Sequence, residues 1–302
     1  MSDIRKVDIR KLDGQLLLVF REVLRTRRTT EAARRLGITQ STVSHALARL
    51  RDLFADPLFV RRPYGLDPTR RALELAPRID GLIDILGGVL AEEGGFDPNR
   101  SERRFRLAVP EFVAALIGGD LVQTFRREAP RASFSMEFLL GGAALETLRS
   151  GEIDLVLGQF PGLPAGLEAE LLYQDRFCIV ARKRHPRIKG ALDKRAFAKL
   201  PNIFASPSGG TSIAHTTIPS PSLVSTVALV PGWLTALTMV SASDAVATCP
   251  RRLAQRMAGV LGLQIIDADF AGPRFEVSAV RRTGQVDAGI DWLVAKVSDA
   301  VL

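Results

Sequence analysis

Apolar residues in the first ninety positions recur at helical spacing. Leu12, Leu16, Val19, Phe20, Val23 and Leu24 share one face and predict an amphipathic helix over 11–26. A short helix is expected over Glu31–Leu36, with Thr30 as its N-cap. Gly37 ends it, because glycine tolerates the left-handed conformation common at helix C-termini. Thr39 then caps a third helix over Gln40–Phe54, whose apolar stripe is Val43, Leu47, Leu50 and Phe54. Helix, short glycine turn and helix make a helix-turn-helix. Leu58–Arg62 predicts a short strand, Pro63–Gly65 a turn, and Leu66 begins a return that Pro68 stops. From Thr69 to Glu93, Ala72, Leu75, Ile79, Leu82, Leu86 and Val89 repeat at 3–4 spacing, the stripe of a coiled-coil seam. Pro77 is expected to kink this helix, and Gly87 and Gly88 weaken its end. Residues 92–104 are a polar, Gly/Pro-containing hinge.

Beyond residue 104 the pattern changes. Phe105–Val109, Ser133–Phe138 and Ile153–Leu157 predict strands, with helices over 112–128 and 143–150. After a strand at Leu171–Ala181 the alternation restarts. Strands are expected at Ile203–Ala205, Ser225–Leu229, Ala245–Thr248 and Arg274–Val280, and helices at 193–199, 233–240, 251–258 and 285–301. Strands alternating with helices predict an α/β module with mainly parallel sheets.

Composition narrows the reading. The 302 residues are 46% hydrophobic and 25% charged, which excludes wholesale disorder. Two cysteines, Cys178 and Cys249, cannot make a disulfide framework. No apolar run of about 18 residues predicts a membrane span. The start, MSDIRKVDIRK, lacks the apolar stretch of a secretion signal, so a cytoplasmic protein is expected. Charge is uneven. Residues 1–78 hold 17 basic and nine acidic side chains, a net +8, while residues 79–302 hold 24 of each. That asymmetry predicts an N-terminal surface for a polyanion with a neutral module behind it. The face of the third helix opposite its apolar stripe carries Ser41, His45 and Ala48, flanked by Ser44 and Arg49. Small polar groups with one His and one Arg suit a major groove, and Arg61, Arg62 and Tyr64 on the hairpin are placed for phosphates or the minor groove.

TTEAARRLGITQSTVSHALARLRD, then DPLFVRR, then PTRRALELAP stand in an order and spacing that resemble the winged helix-turn-helix of LysR-type transcriptional regulators. The last two stretches are similar to the nodulation and aromatic-catabolism subgroup. SGEIDLVLG (150–158), LLYQDRFCIVARKRHP (171–186) and SASDAVATCPRRLA (241–254) resemble that family's two-lobed effector domain, itself similar to periplasmic binding proteins. The resemblance implies DNA contacts at Thr30, Gln40, Ser41, Thr42, Ser44, His45 and Arg49, with His45 standing where the family commonly has Arg. It implies a winged helix at 8–67, a linker and dimerisation helix at 68–94, and an effector-binding domain at 95–302. Lobe I is expected over 104–170 and 270–302, and lobe II over 176–267. Duplex promoter DNA, a small-molecule effector, a second copy of the chain and RNA polymerase are the partners expected, with no membrane. Resemblance is weakest over 215–230, where three prolines predict an altered loop.

Chemistry for catalysis is sparse. His45, His185 and His215 make no metal-ligand spacing, no G-x-S-x-G elbow occurs, and SPSGGTS (206–212) lacks the lysine of a phosphate loop. No enzyme, metal or cofactor is expected. A solute-binding protein would carry no basic winged helix, and an enzyme fused to a DNA-binding domain would show convergent titratable residues. Ligands of open α/β sheets sit beyond the carboxyl ends of the strands. Those ends are Pro110, Glu111 and Phe112; Gly158, Gln159 and Phe160; Ser206, Ser208, Gly209 and Gly210; Trp233; and Thr248 and Cys249. This set has three aromatic residues and no Lys or Arg, which favours a flat aromatic or weakly charged effector. Cys178, within FCIVA, is expected to be a buried strand residue.

Overall fold

The computed structural model describes residues 9–90, 96–206, 224–284 and 286–301. The chain divides between Gly95 and Phe96 into two compact units.

In the first unit Asp13 accepts a hydrogen bond from the Leu16 N–H at 2.9 Å and so starts α1 at Gly14–Thr26. The helix therefore begins later than its apolar spacing predicts, and Ile9–Lys11 form a separate 3-10 turn. α2 (Thr29–Leu36) corrects a second expectation. It begins before Thr30, the N-cap position falls on Arg28, and no side chain caps it. Thr30 lies in the first turn instead. α3 (Gln40–Phe54) starts at Thr39, which accepts from the Thr42 N–H at 3.1 Å. Leu16, Val19, Phe20, Val23, Val43 and Leu50 close the core between the three helices.

β1 (Phe59–Arg62) pairs antiparallel with β2 (Gly65–Pro68). Gly65 lets this hairpin sit against the end of α1. A Cβ there would stand 2.5 Å from the Arg27 carbonyl oxygen, which accepts from the Leu66 N–H at 2.8 Å. α4 (Arg70–Leu90) runs unbroken through Pro77. Its predicted seam divides. Ala72, Leu75 and Ile79 are buried in the core of the first unit, whereas Leu82 and Leu86 remain 42% and 44% exposed. The Val89 side chain lies outside the description.

The second unit runs β3 (Arg104–Ala108), α5 (Glu111–Glu128), β4 (Ser133–Glu137), α6 (Gly141–Ser150), β5 (Leu155–Gly158) and β6 (Leu167–Arg182). α7 (Lys194–Ala198), β7 (Asn202–Ala205), β8 (Thr226–Val230), α8 (Trp233–Ser241), β9 (Val246–Pro250) and α9 (Arg251–Leu261) follow. β10 (Leu263–Ile266), β11 (Arg274–Arg282) and α10 (Ala288–Val301) close it. Strand order is β4-β3-β5-β11-β6-β9-β7-β8, with β10 on β6. β3 with β4 and β5, and β7 with β8 and β9, pair parallel across their helices. β6, β10 and β11 pair antiparallel, so the sheet is mixed rather than mainly parallel. β11 lies along 167–176 of β6, and 177–182 of β6 pairs with β9 and β10, so one long strand serves two half-sheets. β10 is four residues long and carries no alternation of its own, and the apolar spacing did not predict it.

A buried charge pair anchors the first half-sheet. Arg106 donates from Nε and a terminal nitrogen to the Asp154 carboxylate at 3.1 and 2.9 Å, and its backbone N–H adds a bond of 2.8 Å. Their side chains are 10% and 4% exposed.

Candidate functional site

α3 presents Gln40, Ser41, His45, Ala48 and Arg49 to solvent, with Thr42 and Ser44 half-buried at its edge. The order on this face comes from short local bonds. Thr39 Oγ1 lies 2.8 Å from both the Ser41 and Thr42 hydroxyls, and Gln40 donates to Ser44 Oγ at 2.9 Å. These bonds fix the rotamers of small polar groups on the exposed face. His45 is exposed at the centre of the face. Arg49 is drawn aside, paired with Asp13 at 3.0 Å and donating to the Lys11 carbonyl at 3.3 Å. On the hairpin, Arg61 and Tyr64 point outward, Tyr64 being 91% exposed. Arg62 pairs with Asp67 at 3.3 Å. Thr30 is exposed on α2. Beside it Arg34 and Arg35 donate to Glu31, and these hydrogen bonds hold the Glu31 carboxyl down to about 2. Two cations of α2 thereby share one carboxylate, which offsets one of their two charges.

In the second unit some of the predicted effector residues form two groups. Pro110, Gly158 and Phe160 are neighbours: a Cβ on Gly158 would stand 3.2 Å from the Phe160 ring and 3.9 Å from Pro110. Phe112 meets Trp233 edge to face with centroids 5.2 Å apart, and both also stack near residues of the long strands, Phe275 and Phe177. Glu111 reaches from α5 to the start of α8, where its Oε2 accepts from the Leu234 N–H at 3.2 Å. Gln159 is exposed and Ser206 is buried. Ser208, Gly209, Gly210 and His215 lie outside the described residues, as does most of the loop over 215–230.

Cys249 is fully buried opposite Cys178 in the β6–β9 pair and donates weakly to the Pro250 carbonyl at 3.3 Å. Burial pushes the Cys178 thiol up to about 12 and the Cys249 thiol well above its ordinary value. Thr248 is likewise buried within the sheet.

Two features escaped the sequence reading. α8 and α9 both lack an N-cap side chain of their own. Carboxylates distant in sequence serve instead: Glu111 at α8, and Asp175, which accepts from the Arg252 N–H at 3.2 Å, at α9. Burial pushes the Asp175 carboxyl upward, opposed by its hydrogen bonds from the Arg176 and Arg252 amides. No local signal marks either pairing. The second feature is a strip hidden by overall neutrality. Residues 182–199 carry eight Lys and Arg against Asp193 alone, and Arg182 is taken by Asp244 at 2.7 Å.

Among the described residues no helix is long and apolar enough to cross a membrane, and no group of His, Cys, Asp and Glu is placed to hold a metal ion.

A helix-turn-helix with its hairpin, joined to a mixed α/β unit of two half-sheets sharing a long strand, is the architecture of one class of bacterial regulator. A family model described as "Bacterial regulatory helix-turn-helix protein, lysR family" matches residues 15–73, and one described as "LysR substrate binding domain" matches 98–301. The chain belongs to the LysR family and is a DNA-binding transcriptional regulator with a C-terminal effector-binding domain. It is 32% identical over 285 residues to the HTH-type transcriptional regulator SyrM 1 of Sinorhizobium fredii, covering 91% of this chain and 81% of that one. LinR of Sphingobium indicum is 32% identical over 279 residues, 90% of each chain. The crystal structure of a probable transcriptional regulator from Pseudomonas aeruginosa is 31% identical, covers 96% of this chain and 97% of its own, and superimposes with a TM-score of 0.72.

Proposed function

We propose that α3 and the hairpin read duplex promoter DNA, and that a small aromatic effector held at the strand ends of the second unit modulates this reading. The observation that carries the first part is the α3 face itself. Gln40, Ser41, Ser44 and His45 stand together with no covering element among the described residues of the first unit, and the wing holds Arg61 and Tyr64 outward beside a net +8 segment. Side chains of that size reach base edges, while the wing cations meet phosphates. The effector reading is supported by two contacts at strand ends, Phe112 with Trp233 and Pro110 with Gly158 and Phe160, which are aromatic and without Lys or Arg.

The exposed end of α4, at Leu82 and Leu86, supports self-association through that helix, placing two reading heads on one operator. The chain then works in the cytoplasm on promoter DNA, with RNA polymerase as the enzyme it influences. The test is binding to a promoter fragment selected from genomic DNA. Log K is expected to fall steeply with log salt as counterions are released. Weak binding, flat between low and physiological salt, would refute the reading. Leu82→Asp with Leu86→Asp is expected to yield a smaller sedimenting species with lower operator affinity.

A further inference from the structure

In this chain the start of α8 is filled by a carboxylate of its own. The Glu111 side chain leaves α5 and lies directly against Gly232, so closely that a Cβ on Gly232 would stand 2.3 Å from Oε2 and 2.4 Å from the carboxyl carbon. Oε2 accepts from the Leu234 N–H, one of the orphan donors at a helix start. Gly232 offers no side chain for that purpose, and its backbone is extended, φ −156 and ψ 164, so glycine is needed there for close approach rather than for conformation. The neighbouring helix α9 is filled in the same manner by Asp175. A helix N-terminus attracts anions through its free N–H groups and its dipole. The α8 end beside Phe112 and Trp233 is therefore already met by a carboxylate from within the chain.

We propose that Glu111 sets the charge class of the effector: the cleft admits a neutral aromatic that donates a hydrogen bond, such as an aromatic alcohol or amide, and disfavours an aromatic carboxylate. An effector carboxylate would have to displace Glu111 from α8 or lie beside it, and like charges at that distance repel in a half-buried site. A neutral donor gains from the same carboxylate, whose remaining lone pairs accept. Glu111 is a specificity-determining residue in this account, and the account rests on the effector-cleft reading above.

The experiment uses the full-length chain with Trp292→Phe, which leaves Trp233 as sole reporter, and two probes of matched size, benzyl alcohol and benzoate. Wild type is expected to bind benzyl alcohol more tightly. Glu111→Ala, which frees the α8 amides, should shift the ratio toward benzoate by about tenfold, the scale of an anion at a helix N-terminus. Gly232→Ala, which pushes the carboxylate aside without removing it, should shift the ratio less. Hydrogen exchange of the Leu234 amide, measured without probe, should quicken in both variants while the β9 amides stay protected, which reports a released contact in a folded chain. Wild type preferring benzoate, or a ratio unchanged in Glu111→Ala, overturns the proposal. Unchanged Leu234 exchange overturns the contact on which it stands. If exchange quickens but neither probe alters Trp233 emission in any variant, the effector-cleft reading fails, and the charge selectivity with it.

Discussion

The two units bring the groups of their candidate sites together by opposite routes. In the first, the hydrogen bonds that order the exposed face of α3 lie within a short stretch: Thr39 orders Ser41 and Thr42, and Gln40 orders Ser44. In the second, the groups that meet come from far apart: Glu111 with Leu234, Phe112 with Phe275, Asp175 with Arg252, Arg106 with Asp154. A local site is carried by a motif, whereas a non-local site is carried by topology. Charge follows the same division. The first unit's excess shows in a simple count, but the second unit's cationic strip at 182–199 is cancelled by acids elsewhere in the module.

The largest effect that tests this division is on the buried pair of the second unit. Asp154→Ala leaves Arg106 buried without its bidentate partner, and a broken buried pair costs about 3–5 kcal/mol. Calorimetry of the full chain should show the second unit melting at lower temperature and the first unit's transition in place. Joint movement of both transitions would show the units to be energetically coupled. The converse substitution is Leu50→Ala in the first unit. Leu50 is fully buried, and truncating a buried leucine costs about 2–5 kcal/mol. DNA binding should be lost while aromatic probes still alter Trp233 emission.

What the sequence made legible follows from this contrast. α3 is read correctly because cap, apolar stripe and glycine stop all lie within its own span. The wing is read because its turn chemistry is local. The connector misleads: one 3–4 repeat serves two surfaces, Ala72 to Ile79 packing inside the first unit and Leu82 onward facing out. Periodicity marks an apolar face but not the partner that covers it. β10 is missed because it borrows its order from β6. In the second unit, strand ends name residues that the fold partly brings together, Phe112 with Trp233 and Gly158 with Phe160. They give no hint that Glu111 reaches α8.

A smaller effect probes the reading face. His45→Ala should relax sequence preference at the positions it meets, by about 1–3 kcal/mol of discrimination, and Arg61→Ala should weaken all duplexes alike. Selection from random operators is the measurement, and an identical preferred site for both variants and wild type would remove His45 from base readout.

The smallest expected effect separates two threonines that the sequence treats alike. Both stand at the start of a helix of the helix-turn-helix, and both read as N-caps. Thr39 accepts from the Thr42 N–H and contacts two neighbouring hydroxyls, whereas Thr30 lies inside the first turn of α2, where no side chain caps the helix. Loss of an N-cap costs about 1 kcal/mol, while an exposed substitution away from such features stays within about 0.5 kcal/mol. Thr39→Ala should therefore lower the midpoint of the first unit in urea, and Thr30→Ala should leave it in place. Thr30→Ala is also the cleaner probe of DNA contact, because any affinity it loses cannot be charged to α2 unfolding. Equal destabilisation by the two would mean that α2 is capped in solution by Thr30 after all, and that its first turn rearranges away from Thr29.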